Sequence, residues 1–558
     1  MDNNLDWSLP ENDLNYIRGK SINIGWYCSD RICLQGKADK IALFYEGAGE
    51  ISNKFTFNDL RILSNTLASF LQKLGVRHED RVCLFMDRIP ELYFSFLGIL
   101  KLGAVVQPLF SAFGEESLIV RLENAQTRVI ITQQKQLFKL RKIKDRLRYL
   151  EFIIVVDHNK TKPLESKEIA FYINNTKPVE LFHTYPTSAE SPSVLHYTSG
   201  TTGQAKGVKH VHYSLISQYF TSKQVLDLKD DDIFWCTADP GWVTGTSYGI
   251  IGPWSMGITQ CVLDAGFSST AWYNFIEKYR ISVWYTAPTA IRSLMKAGDR
   301  VINNYDLSSL RYLASVGEPL NPEAVLWSER VFGKPFHDTY WQTETGSIMI
   351  ANMPGMVVKP GSMGIQIPGI TAEILDPLTN IPYSEPDKIG LLAFKPGWPA
   401  MMRTYWNDNL KYKEKFENGW YLSGDKAKID KDGYFWFVGR NDDIINTGGH
   451  LVSPFEVESA LLGHPAISES AVVAKPDDIN MEVVKAYITL KPGFTPDPDK
   501  ELEIMNYIRK RLSSIAMPHE IEFVEKLPKT RSGKIMRRLL RAKEWGEDPG
   551  DITALDYD

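Results

Sequence analysis

Cysteine is scarce in this chain of 558 residues: its five cysteines are scattered, and no two have the spacing of a zinc finger or a redox motif. This scarcity argues against a disulfide-rich secreted domain and favours a reducing compartment. No stretch approaches about 18 uninterrupted apolar residues, so a transmembrane helix is not expected. The first residues, Met1–Asp6, lack the apolar segment of a secretory signal. We therefore expect a cytoplasmic protein with no membrane partner.

The chain also has no excess of basic residues over acidic ones. The chain has 63 Lys+Arg and 68 Asp+Glu, a net charge of −5, so no overall basic field attracts nucleic acid or an anionic membrane. We expect no nucleic-acid partner. The length corresponds to roughly three or four folding units, and a hydrophobic fraction of 43% is ordinary for a globular protein. Composition indicates a large globular protein and leaves its chemistry open.

Strands and helices are predicted to alternate in the first third of the chain. Short apolar runs at Ile41–Tyr45, Val82–Met86 and Arg128–Thr132 have the length of buried strands. Between them, Phe57–Leu74 and Pro90–Leu102 carry apolar residues at helical spacing. Near-continuous apolar strands separated by helices indicate a parallel sheet in an α/β fold.

Two further segments have a distinct character. Lys135–Arg148 has seven basic residues and one acidic residue, with apolar residues at helical spacing. It is either a helix with a solvated basic face or a contact for phosphate or a partner. After Gly439–Asn446 the sequence predicts strands at Ala471–Ala474 and Val483–Leu490 and a helix at Glu501–Ser514. This order of elements is typical of a small α+β domain.

The segment Tyr197–Val208 has the composition of a phosphate-binding loop. Its three glycines allow a tight turn that presents backbone N–H groups to phosphate oxygens. Hydroxyl side chains add donors and Lys206 adds charge, although the spacing is not G-x-x-x-x-G-K-[ST]. The alternative is a flexible linker rich in serine, threonine and glycine. So many donors beside a lysine, between apolar flanks, favour the phosphate loop.

This segment resembles the signature Y-T-S-G-[ST]-T-G-x-[PA]-K-G-V of the adenylate-forming superfamily, which contains acyl-CoA synthetases, luciferases and peptide-synthetase adenylation domains. The resemblance implies an α/β fold with a large N-terminal domain, 1–440, of sandwiched mixed sheets and a β-barrel-like subdomain. It also implies a small mobile α+β C-terminal domain, 441–558. The implied ATP contacts in this loop are Thr198, Ser199, Gly200, Thr201, Thr202, Gly203 and Lys206.

Five further motifs follow in the superfamily's order. Asp338–Gly346 resembles the second core motif, which assigns Thr343 to phosphate and Glu344 to Mg²⁺, a hard cation that prefers oxygen ligands. Ser315–Pro319 resembles the segment that packs around adenine. The nucleotide contacts implied by these two motifs are Gly317, Glu318, Pro319, Asp338, Thr339, Tyr340, Trp341, Gln342 and Thr343.

The remaining motifs concern ribose and the domain junction. Tyr421–Asp425 resembles the ribose motif, in which the Asp425 carboxylate accepts both hydroxyls, and Gly439–Asp443 resembles the junction. The resemblance makes Arg440 a ribose or phosphate contact and Asp442 the hinge. Taken alone, the Gly424–Asp425 pair could equally be a turn, and Gly439–Asp442 could equally be a solvated loop. Their shared order along the chain favours the superfamily reading.

Leu527–Arg538 completes the set. Here Gly533 leaves the backbone free to approach a ligand, and Lys534 can neutralise a carboxylate and an α-phosphate together. The resemblance makes Lys534 the adenylation lysine and a site of regulatory acetylation, which implies an acetyltransferase and a deacetylase as partners. The alternative is a basic tail that binds an acidic partner.

Trp341 bears on the acyl group. A Trp directly before Gln-Thr-Glu resembles the short-chain synthetases, whose indole walls off the acyl pocket, and extra methylenes in a filled pocket cost about 1–3 kcal/mol. Ala238–Gly245 resembles A-D-x-G-W-V-T-G of acetyl-CoA synthetases. The implied acyl pocket consists of Val243, Thr244, Val316 and Trp341, and Trp242 and Thr244 border the route of CoA. The alternative is that Trp341 is an ordinary core residue.

The chain departs from acetyl-CoA synthetases after the hinge, where they read S-G-[HY]-R. Here Gly448 replaces the Ser near CoA, and Leu451 replaces the Arg that meets the phosphates. Either His450 or Arg440 supplies the missing charge, or nucleotide affinity and reaction direction differ. By alignment Arg509 touches CoA. Leu462, His464 and Ile467 match a metal position of the family, with a helix-capping role for His464 as the alternative.

These observations predict an enzyme that joins acetate to CoA through acetyl-AMP, with ATP and CoA as substrates and Mg²⁺ as the metal. One alternative within the superfamily is a propionyl- or medium-chain acyl-CoA synthetase. Alternatives of another class are a carrier-loading adenylation module and a nucleotide sensor. No appended carrier segment is visible, and a sensor is expected to lack Lys534 or Glu344, both of which are present.

Overall fold

The computed structural model describes residues 6–47, 51–199, 205–448, 450–477, 479–530, 533–550, 552 and 555. Among these residues no helix has both the length and the apolar character needed to cross a bilayer. The α-helices of the described residues are α1 Ser8–Asp13, α2 Ile24–Tyr27, α3 Asp30–Ile32, α4 Phe57–Lys73, α5 Pro90–Lys101, α6 Glu115–Ala125, α7 Leu137–Ile143, α8 Ser214–Gln224, α9 Val243–Thr246, α10 Gly252–Met256, α11 Ser269–Tyr279, α12 Pro288–Ala297, α13 Pro322–Phe332, α14 Asn409–Lys413, α15 Pro454–Leu462, α16 Pro498–Arg511 and α17 Arg537–Trp545.

The strands of the described residues are β1 Ile41–Glu46, β2 Ser52–Thr56, β3 Arg81–Phe85, β4 Val105–Pro108, β5 Val129–Thr132, β6 Phe152–Val155, β7 Glu168–Ala170, β8 Pro192–Ser199, β9 Ala205–Val211, β10 Ile233–Cys236, β11 Thr259–Leu263, β12 Val283–Thr286, β13 Tyr312–Val316, β14 Phe336–Tyr340, β15 Ile350–Ala351, β16 Ile365–Gln366, β17 Ala372–Leu375, β18 Gly390–Phe394, β19 Thr404–Tyr405, β20 Phe416–Glu417, β21 Trp420–Ile429, β22 Phe435–Arg440, β23 Ile445–Thr447, β24 His450–Val452, β25 Ile467–Asp477, β26 Met481–Leu490 and β27 Glu520–Phe523. The strands and helices predicted from apolar spacing are confirmed, with ends that differ by a few residues.

Two large mixed sheets form most of the molecule. The first has nine strands in the order β16-β15-β14-β13-β12-β10-β11-β1-β2, and the second has eight in the order β19-β9-β8-β4-β3-β5-β6-β7. The neighbours β14, β13, β12, β10 and β11 run parallel, as do β8, β4, β3, β5, β6 and β7. The predicted parallel α/β arrangement is confirmed.

Helices α4 and α5 lie between the two sheets. Thr56 and Asp59 begin α4 with reciprocal hydrogen bonds, since the Thr56 hydroxyl accepts from the Asp59 backbone and the Asp59 carboxylate accepts from the Thr56 backbone. Leu67 of α4 shares one buried cluster with Leu43 of β1 and Val82 of β3, which belong to different sheets. The predicted sandwich of sheets is therefore packed around this apolar layer.

A third sheet is antiparallel and follows the large ones in the chain. Its strands have the order β17-β18-β21-β20, with β22 paired to β21. These ladders form an open path among the described residues. This sheet is the part of the large domain that corresponds to the expected barrel-like subdomain, beside the two expected mixed sheets. The pairing of β21 with β22 sets Asp425 opposite Arg440.

The C-terminal sheet has the order β24-β23-β26-β25, with β27 parallel to β26. Ile445, Val457, Val472, Ile488 and Ile504 belong to one apolar cluster in which α15 and α16 pack on this sheet. The predicted small α+β unit is confirmed. Its core residues all follow position 444.

The basic segment predicted as one helix is a short 3₁₀ turn, then α7, then a second 3₁₀ turn. Most of its charges form ion pairs with carboxylates of neighbouring elements. The pairs are Lys135–Asp87, Arg141–Glu168, Lys142–Glu115, Arg146–Glu116 and Arg148–Glu123. This charge balance favours a solvated, salt-bridged face over a phosphate contact.

Candidate active site

The candidate site lies where four adjacent parallel strands end. Strands β10, β12, β13 and β14 are neighbours, and the motifs Ala238–Gly245, Ser315–Pro319 and Asp338–Gly346 lie at or just after the ends of β10, β13 and β14. Val316 ends β13 opposite Thr339 of β14. The carboxyl edge of a parallel sheet is the usual binding edge of α/β proteins.

The phosphate loop joins β8 to β9, which form an antiparallel hairpin with Thr198 opposite Lys206. The predicted contacts Gly200, Thr201, Thr202 and Gly203 lie outside the described residues. Lys206 has its Nζ 5.6 Å from the ring centroid of Tyr405. Burial and the charges of Lys411 and Lys415 lower the pKa of Lys206, whereas Glu344 raises it.

The turn Thr343–Gly346 is held through its backbone oxygens. His210 Nε2 donates to the Thr343 carbonyl at 2.8 Å, the Met402 amide to the Glu344 carbonyl at 2.9 Å, the Trp398 indole to the Thr345 carbonyl at 2.7 Å and Gln218 Nε2 to the Gly346 carbonyl at 3.1 Å. All four carbonyls thus point into the protein. The half-buried side chains of Thr343 and Glu344 are left to face a ligand.

Gly346 is required at the end of this turn. Its φ is +70°, and a Cβ atom there would lie 2.3 Å from the Ala400 carbonyl oxygen and 2.8 Å from His210 Cε1. Burial lowers the pKa of His210 to about 4, so its imidazole is neutral. Because a carbonyl only accepts, Nε2 must carry the proton.

Glu344 has the chemistry to hold Mg²⁺. Its Oε1 accepts a hydrogen bond of 2.9 Å from the Tyr405 hydroxyl, which fixes the carboxylate. Burial raises the pKa of Tyr405, and the negative charge of Glu344 raises it further. The hydroxyl therefore stays protonated and remains a donor. A half-buried carboxylate beside Lys206 matches the oxygen preference of Mg²⁺ with ATP.

Asp425, the predicted ribose contact, is held by neighbouring side chains. Its Oδ2 accepts from the Tyr340 hydroxyl at 2.6 Å and from Gln342 Nε2 at 2.9 Å. Its Oδ1 lies 3.2 Å from Arg440 Nε as an ion pair, yet is buried and lacks a hydrogen-bond donor among the described residues. Burial raises the pKa of Asp425, and Arg440 opposes that rise. A buried acceptor with free capacity fits the hydroxyl groups of ribose.

Trp341 is fixed by a chain of hydrogen bonds. Its indole Nε1 donates to the Tyr285 hydroxyl at 3.2 Å, and that hydroxyl donates to Thr339 Oγ1 at 2.8 Å. Thr339 donates in turn to the Ser315 carbonyl at 2.7 Å. Trp341 is 9% exposed and belongs to the same apolar cluster as Val316, with Val243 packed against it. Three of the predicted acyl-pocket residues are therefore together, and Thr244 follows Val243 in α9.

The loop before α9 is built by close backbone approach. A Cβ on Gly241 would lie 2.6 Å from the backbone of Phe110, and one on Gly245 would lie 2.3 Å from the Asp239 carbonyl. Trp242, between these glycines, has its ring centroid 5.8 Å from that of Phe110. This packing positions Trp242 at the edge of the site, half-buried.

The adenine segment follows β13. Gly317 is exposed with a φ of +94°, and Glu318 and Pro319 are half-buried. Asp338 is buried on the neighbouring strand, and burial raises its pKa to about 7, against hydrogen bonds from the backbone of Thr339 and Leu320. These residues stand together at the sheet edge, as the motifs predict.

Lys534 reaches the same cleft from the C-terminal unit. Its side chain is exposed to the cleft, whose walls displace water and lower the pKa of Lys534. Arg440 and Arg537 lower it further, while Glu318 and Asp425 raise it. Lys534 is thus within electrostatic range of the adenine and ribose segments in this conformation.

Several predicted residues lie away from the cleft. Gly448 donates from its backbone to the Asn480 carbonyl at 2.9 Å, and Leu451 and Arg509 are exposed on the C-terminal unit. Asp442 follows Arg440, with a carboxylate oxygen 3.7 Å from the guanidinium. Of these residues only Asp442 lies near a residue of the cleft, and the roles of Gly448, Leu451 and Arg509 stay predictions.

His464 follows the end of α15. Its Nδ1 accepts from the Ala466 amide at 3.2 Å, and its Nε2 lies 3.2 Å from Glu503. Both ring nitrogens therefore have protein partners, which favours the local capping role. A metal at Leu462, His464 and Ile467 stays a prediction, and it would depend on carbonyl oxygens.

The sequence motifs missed the residues that hold the site. His210, Gln218, Tyr285, Trp398 and Tyr405 all contact motif residues, and none of them was singled out. Each of these residues lies in a strand, a helix or a loop where its residue type alone does not indicate a role. Only His210 had a local signal, because it comes shortly after the phosphate loop on the same strand as Lys206.

Comparison with known proteins agrees with this geometry. The AMP-binding enzyme family matches residues 31–406, and the AMP-binding enzyme C-terminal domain matches residues 456–534. A protein named acetyl-coenzyme A synthetase from Bacillus subtilis (strain 168) is 46% identical over 557 residues, 99% of this chain and 96% of its own length. A protein of the same name from Pyrobaculum aerophilum is 37% identical, with 99% and 87% covered.

Two solved structures are similar throughout. The anthranilate CoA ligase AuaEII in complex with anthranoyl-AMP superposes with a TM-score of 0.86 at 29% identity, covering 97% of this chain and 99% of that one. The Brucella canis acyl-CoA synthetase gives a TM-score of 0.76 at 32% identity, with 97% and 98% covered. Together with the site geometry, these matches show that the chain belongs to the AMP-binding family of adenylate-forming enzymes.

Proposed function

We propose that this protein is an AMP-forming acetate–CoA ligase. The observation that carries the choice of acetate is the position of Trp341, fixed by Tyr285 beside Val316 and directly before the turn that bears Thr343 and Glu344. An indole held there leaves room for a short acyl group only. The 46% identity to a relative named acetyl-coenzyme A synthetase supports the same choice.

In the first half-reaction an oxygen of acetate attacks the α-phosphorus of ATP, and pyrophosphate leaves. Attack brings two anions together, so positive charge at the reacting atoms lowers the barrier. Lys534 provides that charge in the cleft, and the Thr343 hydroxyl donates to a phosphate oxygen. The Asp425 carboxylate, fixed by Tyr340 and Gln342, holds the ribose.

Glu344 is the residue that would hold Mg²⁺ on the polyphosphate. The cation would neutralise charge on the phosphate oxygens. Tyr405 orients the carboxylate of Glu344, and Lys206 Nζ lies 5.6 Å from the centroid of the same tyrosine ring. These residues prepare the phosphate side of the cleft for the leaving pyrophosphate.

In the second half-reaction the CoA thiolate attacks the acyl carbon, and AMP leaves. We assign the mobile unit to residues 441–558 and its hinge to Asp442; the separate sheet and core after position 444 support this division. Rotation about Asp442 would withdraw Lys534 and bring Gly448 and Arg509 toward CoA, which enters past Trp242 and Thr244. One cleft would thus serve two steps with opposite electrostatic needs.

We also propose a cytoplasmic location for this enzyme. All five cysteines are unpaired, which supports a cytoplasmic location.

The exposed side chain of Lys534 is the proposed site of regulatory acetylation. An acetyltransferase could reach it, and a deacetylase could restore it. Acetylation would remove the charge on which the first half-reaction depends. The reaction can also run toward ATP formation, and Leu451 in place of Arg is the residue difference that bears on its preferred direction. An assay from acetyl-CoA, AMP and pyrophosphate measures that direction.

The test is AMP release across acetate, propionate, butyrate, hexanoate and benzoate, with and without CoA. We expect the highest kcat/KM for acetate, a lower value for propionate and release that depends on CoA. A maximum at hexanoate or benzoate would contradict the role of Trp341. Release without thioester formation would identify a carrier-loading module, and no turnover would identify a nucleotide sensor. The Glu344→Gln variant is the control for catalysis by this site.

A further inference from the structure

Four polar residues of the large domain form one hydrogen-bonded cluster beside the cleft. Thr289 and Arg292 lie on α12, while Glu318 and Asn321 lie between β13 and α13. Arg292 Nη2 donates to Thr289 Oγ1 at 2.8 Å and to Glu318 Oε2 at 2.7 Å, and its Nη1 donates to Asn321 Oδ1 at 3.3 Å. Arg292 thus holds the other three, which together with it we call the docking platform.

The small domain rests on this platform at two points. The Thr289 hydroxyl lies 3.2 Å from the Gly533 carbonyl oxygen, and Asn321 Nδ2 donates to Ser459 Oγ at 2.8 Å. Thr289 Oγ1 also donates to Glu318, so one proton serves two acceptors. The two contact points belong to different elements of the small domain, the Lys534 loop and α15.

The shape of the first contact is specific. Gly533 has a φ of +86°, and a Cβ there would lie 2.6 Å from Thr289 Cγ2. The loop therefore approaches Thr289 through bare backbone, and the next residue is Lys534. A cavity of about 50 Å³ lies at this junction, lined by Arg292, Glu318, Asn321, Lys529, Lys534 and Arg537 among others.

We infer that the docking platform positions Lys534 for the first half-reaction and that Arg292 is its central positioning residue. The inference rests on the proposed function. Arg292 sets both contact points at once, because it orients Thr289 toward Gly533 and Asn321 toward Ser459. Rotation of the small domain removes both contacts, so the platform has no role in thioester formation.

Arg292 also controls the charge that faces Lys534. Burial raises the pKa of Glu318, but the Arg292 charge and the hydrogen bonds from Thr289 and Arg292 outweigh it, and the carboxyl is ionised. With Arg292 present, the Glu318 carboxylate is neutralised by a side chain that is itself only 17% exposed. Without Arg292, Glu318 would bind the Lys534 ammonium and keep it from the reacting carboxylate.

The experiment measures the two half-reactions separately on the full chain. Adenylation is followed by acetate-dependent exchange of labelled pyrophosphate into ATP, and thioester formation by acetyl-CoA release from supplied acetyl-AMP and CoA. We expect Arg292→Ala to slow adenylation about 10- to 100-fold, as a small displacement of a catalytic group does. Thioester formation should stay within about twofold of the unsubstituted protein, since rotation removes both platform contacts in that conformation.

Two further variants separate positioning from folding. Thr289→Val keeps the shape but removes the hydroxyl, and we expect the same selective loss at about tenfold. Thr289→Ser retains the hydroxyl and should restore adenylation. Arg300→Ala, which removes an exposed arginine just after α12, is the matched charge control and should leave both steps unchanged.

Equal loss of both half-reactions in Arg292→Ala and Thr289→Val would overturn the inference, as would adenylation at the unsubstituted rate in both variants. A full-length protein that catalyses neither half-reaction before any substitution would contradict the proposed function itself and this inference with it. The two failures are therefore distinguishable.

Discussion

The indole nitrogen of Trp341 donates to the hydroxyl of Tyr285 across 3.2 Å, from the end of β14 to the end of β12. Through Thr339 the same chain reaches the backbone of β13. The ring is packed edge-to-face on Tyr248, with centroids 5.2 Å apart. The position of the indole is thus fixed by hydrogen bonds that reach three strands of the sheet.

Removal of this indole should lengthen the acyl range. We expect Trp341→Gly to lower kcat/KM for acetate and raise it for butyrate and hexanoate, with the preference changing by at least about tenfold. Tyr285→Phe removes the hydrogen bond but not the indole, so its profile should remain that of a short-chain enzyme. Steady-state kinetics over the acid series measures both. An unchanged profile in Trp341→Gly would mean that the indole is ordinary core.

Loss of His210 should impair adenylation without contact to substrate. His210→Ala leaves the buried Thr343 carbonyl without its donor, which costs about 1–3 kcal/mol. We expect the turn to shift and pyrophosphate exchange to fall about tenfold or more. His210→Gln, which can donate from its amide, should recover most of the rate. Equal exchange rates in the alanine and glutamine variants would argue against support of this turn.

Lys534→Ala should divide the two half-reactions. Without the ammonium, acetate-dependent pyrophosphate exchange should fall below detection. Thioester formation from supplied acetyl-AMP should persist, because the proposed rotation about Asp442 withdraws Lys534 from the cleft in that step. Acetyl-CoA release with the purified variant measures the second step. If both steps are lost alike, the role assigned to Lys534 is wrong.

Acid should destabilise the protein through its buried histidines. Burial lowers the pKa of His196 and His212 to about 3 and of His210 to about 4, against an ordinary value near 6.5. The unfolded chain therefore binds protons below about pH 6.5 that the folded chain does not, and stability falls with pH from there toward pH 4. Each such histidine accounts for about 2 kcal/mol at about pH 5.

Neutral replacements test this slope. His212→Asn keeps an acceptor for the Ile24 amide, and His196→Gln keeps a donor for Thr246. The double variant should lose less of its urea midpoint between pH 7 and pH 5 than the unsubstituted protein. A parallel loss in both proteins would mean that these histidines titrate normally.

The sequence predicted the helices, strands and motif residues better than the residues that hold the motif residues in place. Apolar spacing indicated β1, β3, α4 and α5 because each buries a continuous or periodic face, and that signal is local. The roles of Thr343, Glu344, Asp425 and Lys534 were predicted from motifs that resemble those of the adenylate-forming superfamily. The chemistry that each motif offers can thus be predicted from the sequence before the fold is known.

The residues that hold the motif residues in place could not be predicted, and the reason is physical. His210 lies 133 positions from Thr343 in the chain, and Thr289 lies 244 from Gly533. Their roles arise only when parallel strands bring distant ends to one edge. An isolated histidine or arginine in a strand or helix carries no periodic signal for such a contact.

The most direct test of the account is the fate of oxygen in the reaction. With acetate labelled by oxygen-18 in both carboxyl oxygens, ATP and CoA, attack of the carboxylate on the α-phosphorus transfers one labelled oxygen to AMP. Mass spectrometry of the products should therefore find one labelled oxygen in AMP and none in pyrophosphate. Unlabelled AMP, or label in pyrophosphate or orthophosphate, would contradict the acetyl-adenylate and the assignment of this cleft.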